Sequence, residues 1–580
     1  MTPSSDLGLE LDQAPAARPW LATVGECLRN TAEVAPENGI QTYSRRREEE
    51  LVTYPELLHR SEAFARYLIE EGAGPGVLVG LAIPTSVELF VGFFGCLFAR
   101  ATPVTLSLPT RVGSSRDRGA QRLKRILVES DLDLLLDGYD LDPASLAVDG
   151  LRVRRLSDPG VGVASGGPLP RPRPDDLGLV QFTSGSLSRP KGVCLSQRSI
   201  SFNIQAIVDA VEMNRTDTID LWIPLYHDMG LMGSLTAIAS QGNLRLCNPL
   251  QFLADPLGWL LRFAERRSTI NPSPHFFYRM LIEAYDPDRV ADLDLSSWRV
   301  GFNGAEPVRA EELERFVELY GPHGFAETTM YPVYGLAEAT LAALFPRYGE
   351  RPRVVHGEEA FTDAAATAWL RERRFVSVGR PLVGHEARLV PCPDDEGLLD
   401  LPAGIGELHL RGPSITRGYL NRPEETRRLV DDDGWISTGD LAFRHDGEYF
   451  ICGRIKEVVI IRGENYFPED FEALVDRIRP SLAARVTGRA AFAYAHEETE
   501  ALGLAVELDP ETAEEERDRL LERLRGEVHE LAGLAPTIFL LAPRAIPRTT
   551  SGKLQRLLLS RELESGSIVP WAFFPPAELR

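Results

Sequence analysis

The chain has 580 residues, 43% of them hydrophobic and 26% charged, and carries a formal net charge of −22. That length divides into two or more domains, and the composition excludes wholesale disorder. The acidic balance excludes unassisted binding to nucleic acid or to anionic membranes, because repulsion from phosphate would dominate.

Residues 1–18 read as a loose polar leader; without a basic start and an apolar run they are no signal peptide. From 19 to about 155, helical patterns such as ELLHRSEAFARYLIEEG alternate with short apolar runs, VLVGLAIP and ATPVTLS, as in an α/β layer. The longest apolar run, LFVGFFGCLFA at 89–99, is too short to span a bilayer and predicts a buried helix. Six cysteines are scattered without a C-x-x-C pair. They predict reduced thiols and a cytoplasmic location rather than a zinc site or a disulfide frame.

A Pro/Gly-rich connector at 157–176 leads into LGLVQFT (177–183), predicted as a buried strand, and then into QFTSGSLSRPKGV (181–193). The flanks predict strand, loop, helix. Ser196 is the expected N-cap, followed by Ile200, Ile204, Val208 and Val211 at helical spacing. A loop so placed can turn N–H groups and hydroxyls on an anion such as a triphosphate; an ordinary surface loop is the other reading. It is no P-loop: Gly185 is followed, after four intervening residues, by Pro190, Lys191 and Gly192 where Gly-Lys-Ser/Thr is required.

Further α/β alternation runs to about 345, and the segments GELHLRG, GWISTGDLAF and GEYFICGRI then predict a smaller β-rich subdomain. A boundary falls near Lys456. Beyond it, FPEDFEALVDRI predicts a helix, AAFAYA and ALGLAVEL strands, and TAEEERDRLLERLRGEVHELAGL an amphipathic helix with Leu520, Leu521 and Leu524 turned inward. The expected architecture is a large α/β domain over 19–455, built of layered sheets with a β-rich subdomain, followed by a small α+β domain over 456–580.

Four more stretches accompany the opening loop: NGAEPV (303–308), YPVYGLAEAT (331–340), STGDLAF (437–443) with GRIKEVVIIRGENYFPEDFE (453–472), and IPRTTSGKLQR (546–556). In order and spacing they resemble the adenylate-forming superfamily of acyl-CoA synthetases, nonribosomal peptide adenylation domains and luciferases, from about residue 20 to 560. The resemblance implies attack of a carboxylate on the α-phosphate of ATP, with Mg²⁺ as the second cofactor. Two anions must meet, so the site has to supply cationic stabilisation. By the matching motifs, Lys553 would bridge the carboxylate and the α-phosphate, and Glu338 would hold Mg²⁺. Tyr334 would stack on adenine beside Gly335, with Gly304, Ala305, Glu306 and Pro307 bordering the ring. Asp440 would accept the ribose hydroxyls and Arg454 would donate to them. Thr183, Ser184, Gly185, Ser186 and Lys191 would hold the β- and γ-phosphates. The loop departs from the common family pattern at Leu187, where Thr is usual, and at Ser188-Arg189.

Three features resemble the fatty acyl-AMP ligase branch. LYHDMGL (225–231) matches its His-Asp-Met-Gly-Leu stretch, which implies that His227, Asp228, Met229, Gly230 and Met232 border an acyl tunnel. Ala337 stands where CoA ligases usually carry Thr. The long segment between Glu338 and Gly379 leaves room for the branch insertion, at 350–374. The implied partners are a fatty acid and a holo acyl carrier protein on a separate chain, since no carrier signature follows Lys553. The implied motion is a swing of a mobile C-terminal domain about Lys456. A CoA-using synthetase of the same fold and a non-catalytic acyl-binding protein are the competing readings.

Overall fold

The computed structural model describes residues 22–43, 48–106, 115–141, 148–158, 161–162, 166–183, 190–361, 368–392, 401, 403–461, 464–479, 486–496, 499–549 and 552–575. The leader at 1–18 and the loop residues Ser184, Gly185, Ser186, Leu187, Ser188 and Arg189 lie outside them.

Two layered sheets form the first part of the chain. One runs, from edge to edge, Met330–Pro332, Val300–Gly304, Ile270–Pro274, Thr218–Leu221, Asn243–Cys247, Gly39–Tyr43 and Glu48–Thr53; all its pairs are parallel except the last. The other runs Arg152–Arg155, Leu134–Asp137, Leu78–Ala82, Thr102–Thr105, Leu177–Phe182 and Gly192–Ser196, again parallel but for its last pair. Parallel strands are covered on both faces, so they read as unbroken apolar runs. The helix Val87–Ala99 is buried at every residue but Glu88, as its composition requires. The helix Gln197–Ala210 turns Ile200, Ile204 and Val208 into the same core, and the Ser196 Oγ accepts from the Ser199 N–H at 3.0 Å as N-cap.

The chain after Lys191 departs from the expected strand–loop–helix. Gly192–Ser196 is a strand that pairs antiparallel with Leu177–Phe182, so the loop between them is a hairpin connection. No helix N-terminus directly follows Lys191, as the expected strand–loop–helix order required. The signal was hidden in VCLS, four residues too short to separate from a helix entry.

A mainly antiparallel sheet follows, containing Arg374–Pro381, Gly406–Arg411, Ile436–His445 and Glu448–Arg454. The last part of the chain packs Pro468–Ile478 and Glu514–Ala532 against a sheet of Val486–His496, Thr499–Leu508, Thr537–Leu541 and Ala572–Phe574. Leu520, Leu521 and Leu524 are buried there. One apolar cluster crosses Lys456: Phe375, Leu441, Phe443 and Phe450 before it pack with Val459, Phe467 and Phe471 after it. Among the described residues no helix is long and apolar enough to cross a membrane.

Candidate active site

The site lies beyond the carboxyl ends of the parallel strands, where open α/β sheets hold ligands. Thr183 follows Leu177–Phe182, Ala305 follows Val300–Gly304, and Val333 follows Met330–Pro332. All three line a cavity of about 530 Å³. The backbone there is tight: a Cβ on Gly304 would stand 2.7 Å from the Val333 carbonyl oxygen. Ala305 sits at φ +62°, a left-handed geometry that favours glycine and stores strain. Glu306 turns outward from this corner, where its carboxylate accepts from the Phe276 N–H at 3.0 Å. Of the expected border residues Ala305 alone lines the cavity; Gly304, Glu306 and Pro307 do not.

Cross-strand register builds the next group. Asp440 and Arg454 are direct partners on adjacent antiparallel strands, and the Arg454 Nε–H donates to Asp440 Oδ1 at 2.7 Å. The Tyr334 O–H donates to Asp440 Oδ2 at 2.6 Å. Burial, and then the adjacent Asp440 charge, push the Tyr334 phenol well above its ordinary pKa, so it remains a donor. Each carboxylate oxygen has two lone pairs, so both donors leave Asp440 with acceptor capacity for two hydroxyls.

Glu338, on the single turn Ala337–Ala339, lines the cavity and accepts from the Tyr419 O–H at 2.7 Å. The Lys191 ammonium lies 4.5 Å from the centre of the Tyr419 ring. Tyr419 carries no motif in the sequence reading, yet it joins the two charged groups. Its place follows from backbone pairing: the Cys194 N–H donates to the Gly418 carbonyl, and the Leu420 N–H to that of Gly192. Burial, followed by repulsion from Lys456, lowers the Lys191 pKa. Lys191, Lys456 and Lys553 all line one cavity, which concentrates positive charge in an otherwise acidic protein. Among the described residues no group of three or more His, Cys, Asp or Glu is placed to hold a metal ion. A single carboxylate such as Glu338 suits Mg²⁺ that arrives on phosphates, since this ion keeps waters and takes one or two protein carboxylates.

Lys553 comes from the far end of the chain. Arg548 and Leu554 form an antiparallel bridge. The Lys553 N–H donates to Thr549 Oγ1 at 3.0 Å, and Gly552 takes φ +86° to close the turn. This tip projects the lysine into the cavity beside Thr549.

The helix Asp228–Ala239 supplies one wall. His227 is its N-cap position, Asp228 accepts the Met229 N–H at 2.7 Å, and His227, Asp228, Met229, Gly233 and Thr236 line the cavity. Two expected wall residues do not: Met232 is fully buried in the core, and Gly230 packs on backbone. The helical period explains the second, since Met229, Gly233 and Thr236 share a face that excludes Gly230, whereas Met232 borders that face and is covered by the core. A Cβ on Gly230 would lie 2.3 Å from the Pro224 carbonyl oxygen. Gly230→Ala is therefore expected to destabilise the fold by about 1–3 kcal/mol, as overpacking does, which a thermal melt would detect. The rest of the wall is apolar and belongs to the main core: Ile207, Ile219, Phe302, Ala342 and Phe345, with Pro272 and Leu341. None of these carries a sequence motif; core residues and cavity-lining residues look alike in a sequence.

A polar end rich in lysine and an apolar extension thus share one cavity with Tyr334 and Arg454, while Asp440, hydrogen-bonded to both, is buried and does not line it. The AMP-binding enzyme family matches residues 28–420. The chain belongs to that family. It is 29% identical to the medium-chain-fatty-acid–[acyl-carrier-protein] ligase JamA of Moorena producens, over 96% of this chain and 97% of that one. It is 31% identical to a Caulobacter vibrioides protein named as an acyl-CoA synthetase, over 90% of this chain and 92% of that one. A solved structure from work on the fatty acyl-adenylate ligases of E. coli and L. pneumophila superposes with a TM-score of 0.83 at 31% identity, covering 94% of this chain and 98% of that chain.

Proposed function

We propose that this AMP-binding enzyme is a fatty acyl-AMP ligase: it joins a fatty acid to AMP with release of pyrophosphate, then passes the acyl group to the phosphopantetheine thiol of a separate acyl carrier protein. The observation that carries the reading is the single cavity in which Lys553 and Lys191 meet an apolar wall. A chain of methylenes gains about 0.8 kcal/mol per group on leaving water for such a wall, and its carboxylate then ends among lysines.

In the first step the fatty carboxylate oxygen bonds to the α-phosphorus of ATP, and the bond to the bridging oxygen of pyrophosphate breaks. Lys553 neutralises charge where these two anions converge, and Lys191 holds the departing phosphates. Asp440 takes the ribose hydroxyls, and Tyr334 offers the adenine its ring while its hydroxyl stays on Asp440. Mg²⁺ carried on the phosphates and held by Glu338 would supply Lewis-acid stabilisation of the phosphoryl oxygens. In the second step the carrier thiol attacks the acyl carbon and AMP leaves. Lys456 serves as the hinge that withdraws Lys553 between the steps, a gating motion.

The 350–374 insertion braces the two domains in this reading. Its described residues Val355, Phe361 and Leu370 belong to the apolar cluster that continues into Phe467 and Phe471. Next to them Arg373 pairs with Asp470 at 3.2 Å across the boundary. Phe361 meets Phe443 edge-on at 4.8 Å. Phe361→Ala is expected to cost about 3 kcal/mol of stability and to raise acyl-CoA formation relative to carrier loading. Mass spectrometry of the two thioesters reads this ratio, and an unchanged ratio would remove the bracing role.

The runner-up, a CoA-using synthetase, is favoured by the name of the Caulobacter relative. Pyrophosphate release with a panel of fatty acids tests the first step for both readings. No release with any acid would favour the non-catalytic reading.

A further inference from the structure

One strongly charged group beside the lysine turn takes no direct part in the proposed chemistry. Arg556 stands three residues after Lys553, at the start of the helix Arg556–Glu564, and only about a tenth of its side chain is exposed. Its Nε–H and Nη2–H donate to the two oxygens of Glu472 at 2.8 and 3.0 Å. Its Nη1 reaches Glu469 at 3.1 Å and also bonds Glu457. One guanidinium is thus held by three carboxylates. Although it borders the cavity, most of its five N–H donors are spent on protein carboxylates, so its charge is already matched within the protein.

The three carboxylates come from informative places. Glu457 directly follows Lys456, while Glu469 and Glu472 lie on the helix Pro468–Ile478. The acidic face of that helix also meets the large domain: Arg309 reaches Glu472 at 3.9 Å and donates to Asp476 at 2.7 Å. Glu472 is therefore shared between Arg309 of the large domain and Arg556 beside the lysine turn. We propose that Arg556 is a positioning residue for Lys553: clamped by Glu457, Glu469 and Glu472, it makes presentation of the lysine depend on docking of the C-terminal domain through Glu472 and Arg309.

This rests on the function proposed above and carries a separate test. Arg556→Gln and Arg556→Lys are compared with the wild-type chain in the two half-reactions, namely pyrophosphate release with fatty acid and ATP, and thioester formation from supplied acyl-AMP and holo carrier. Lys keeps the charge but cannot reproduce the fork, so it should restore only part of the activity. For Arg556→Gln the expected loss is about tenfold in the first half-reaction, since misplacing a reacting group by an ångström costs at least that much. The second half-reaction should stay within about twofold of wild type, since Lys553 acts only in the first. Equal loss in both, or no loss in the first, would overturn the assignment. Should the three freed carboxylates prevent folding of Arg556→Gln, Glu457→Gln removes one arm of the clamp and is expected to show the same asymmetry in smaller degree. A wild-type chain that releases no pyrophosphate with any acid would defeat the function itself, before Arg556 is tested.

Discussion

Lys553→Ala is expected to lower acyl-AMP formation by about 10²–10³-fold, the loss that follows removal of one preorganised donor to a developing charge. The side chain can be removed without disturbing its support, since the turn is held by the Lys553 N–H on Thr549 Oγ1 and by the Thr549 N–H on the Lys553 carbonyl. Stability should accordingly change by no more than about 0.5 kcal/mol. The step that follows does not use this lysine, so supplied acyl-AMP should still load the carrier. Pyrophosphate release and carrier loading, measured on one preparation, separate these effects. A variant that retains first-step activity would show that the lysine is only a surface group on a turn.

Asp440→Asn should act on ATP and leave the fatty acid untouched. Asp440 accepts from Tyr334 on one oxygen and from Arg454 on the other. An amide must turn its NH₂ toward one of these donors, so one hydrogen bond is lost and the charge facing Arg454 disappears. Hydrogen bonds to charged groups contribute about 1.5–3 kcal/mol, which corresponds to a roughly 10–100-fold rise in the KM for ATP. The KM for fatty acid should hold, because Asp440 is not part of the cavity lining in which Ile207, Ile219 and Phe302 form the apolar wall. Steady-state kinetics with each substrate varied in turn gives the answer; equal rises in both constants would point to a general loss of structure.

What the sequence made legible were the residues whose chemistry is unusual for their surroundings. A lysine after a tight glycine turn, an aspartate after Thr-Gly, and a Gly/Ser loop ending in lysine stand out because a core does not need them. The structure brings Lys553, Lys191, Tyr334 and Glu338 to one cavity although Lys191 and Lys553 lie at opposite ends of the enzyme's motifs. The apolar wall was legible only as the helix that begins near His227. Its depth is built by Ile207, Pro272 and Phe345, residues that any α/β core would contain. Facing was a second limit: Met232 and Thr236 lie four residues apart, yet Thr236 lines the cavity and Met232 does not. Tyr419 and Arg556 escaped because their roles depend on partners, Glu338 for one and Glu472 for the other, that are distant in sequence. The short strand Gly192–Ser196 was read as the end of the loop that leads into the Ser196-capped helix, so its antiparallel pairing with Leu177–Phe182 was missed.

The most direct measurement is a product analysis with ATP, Mg²⁺ and a panel of fatty acids, each reaction divided among no acceptor, CoA and a holo acyl carrier protein. The expected result is acyl-AMP that persists when CoA is present and is consumed only when the carrier is added. Abundant acyl-CoA, formed as readily as the carrier thioester, would contradict it and make this chain a CoA synthetase.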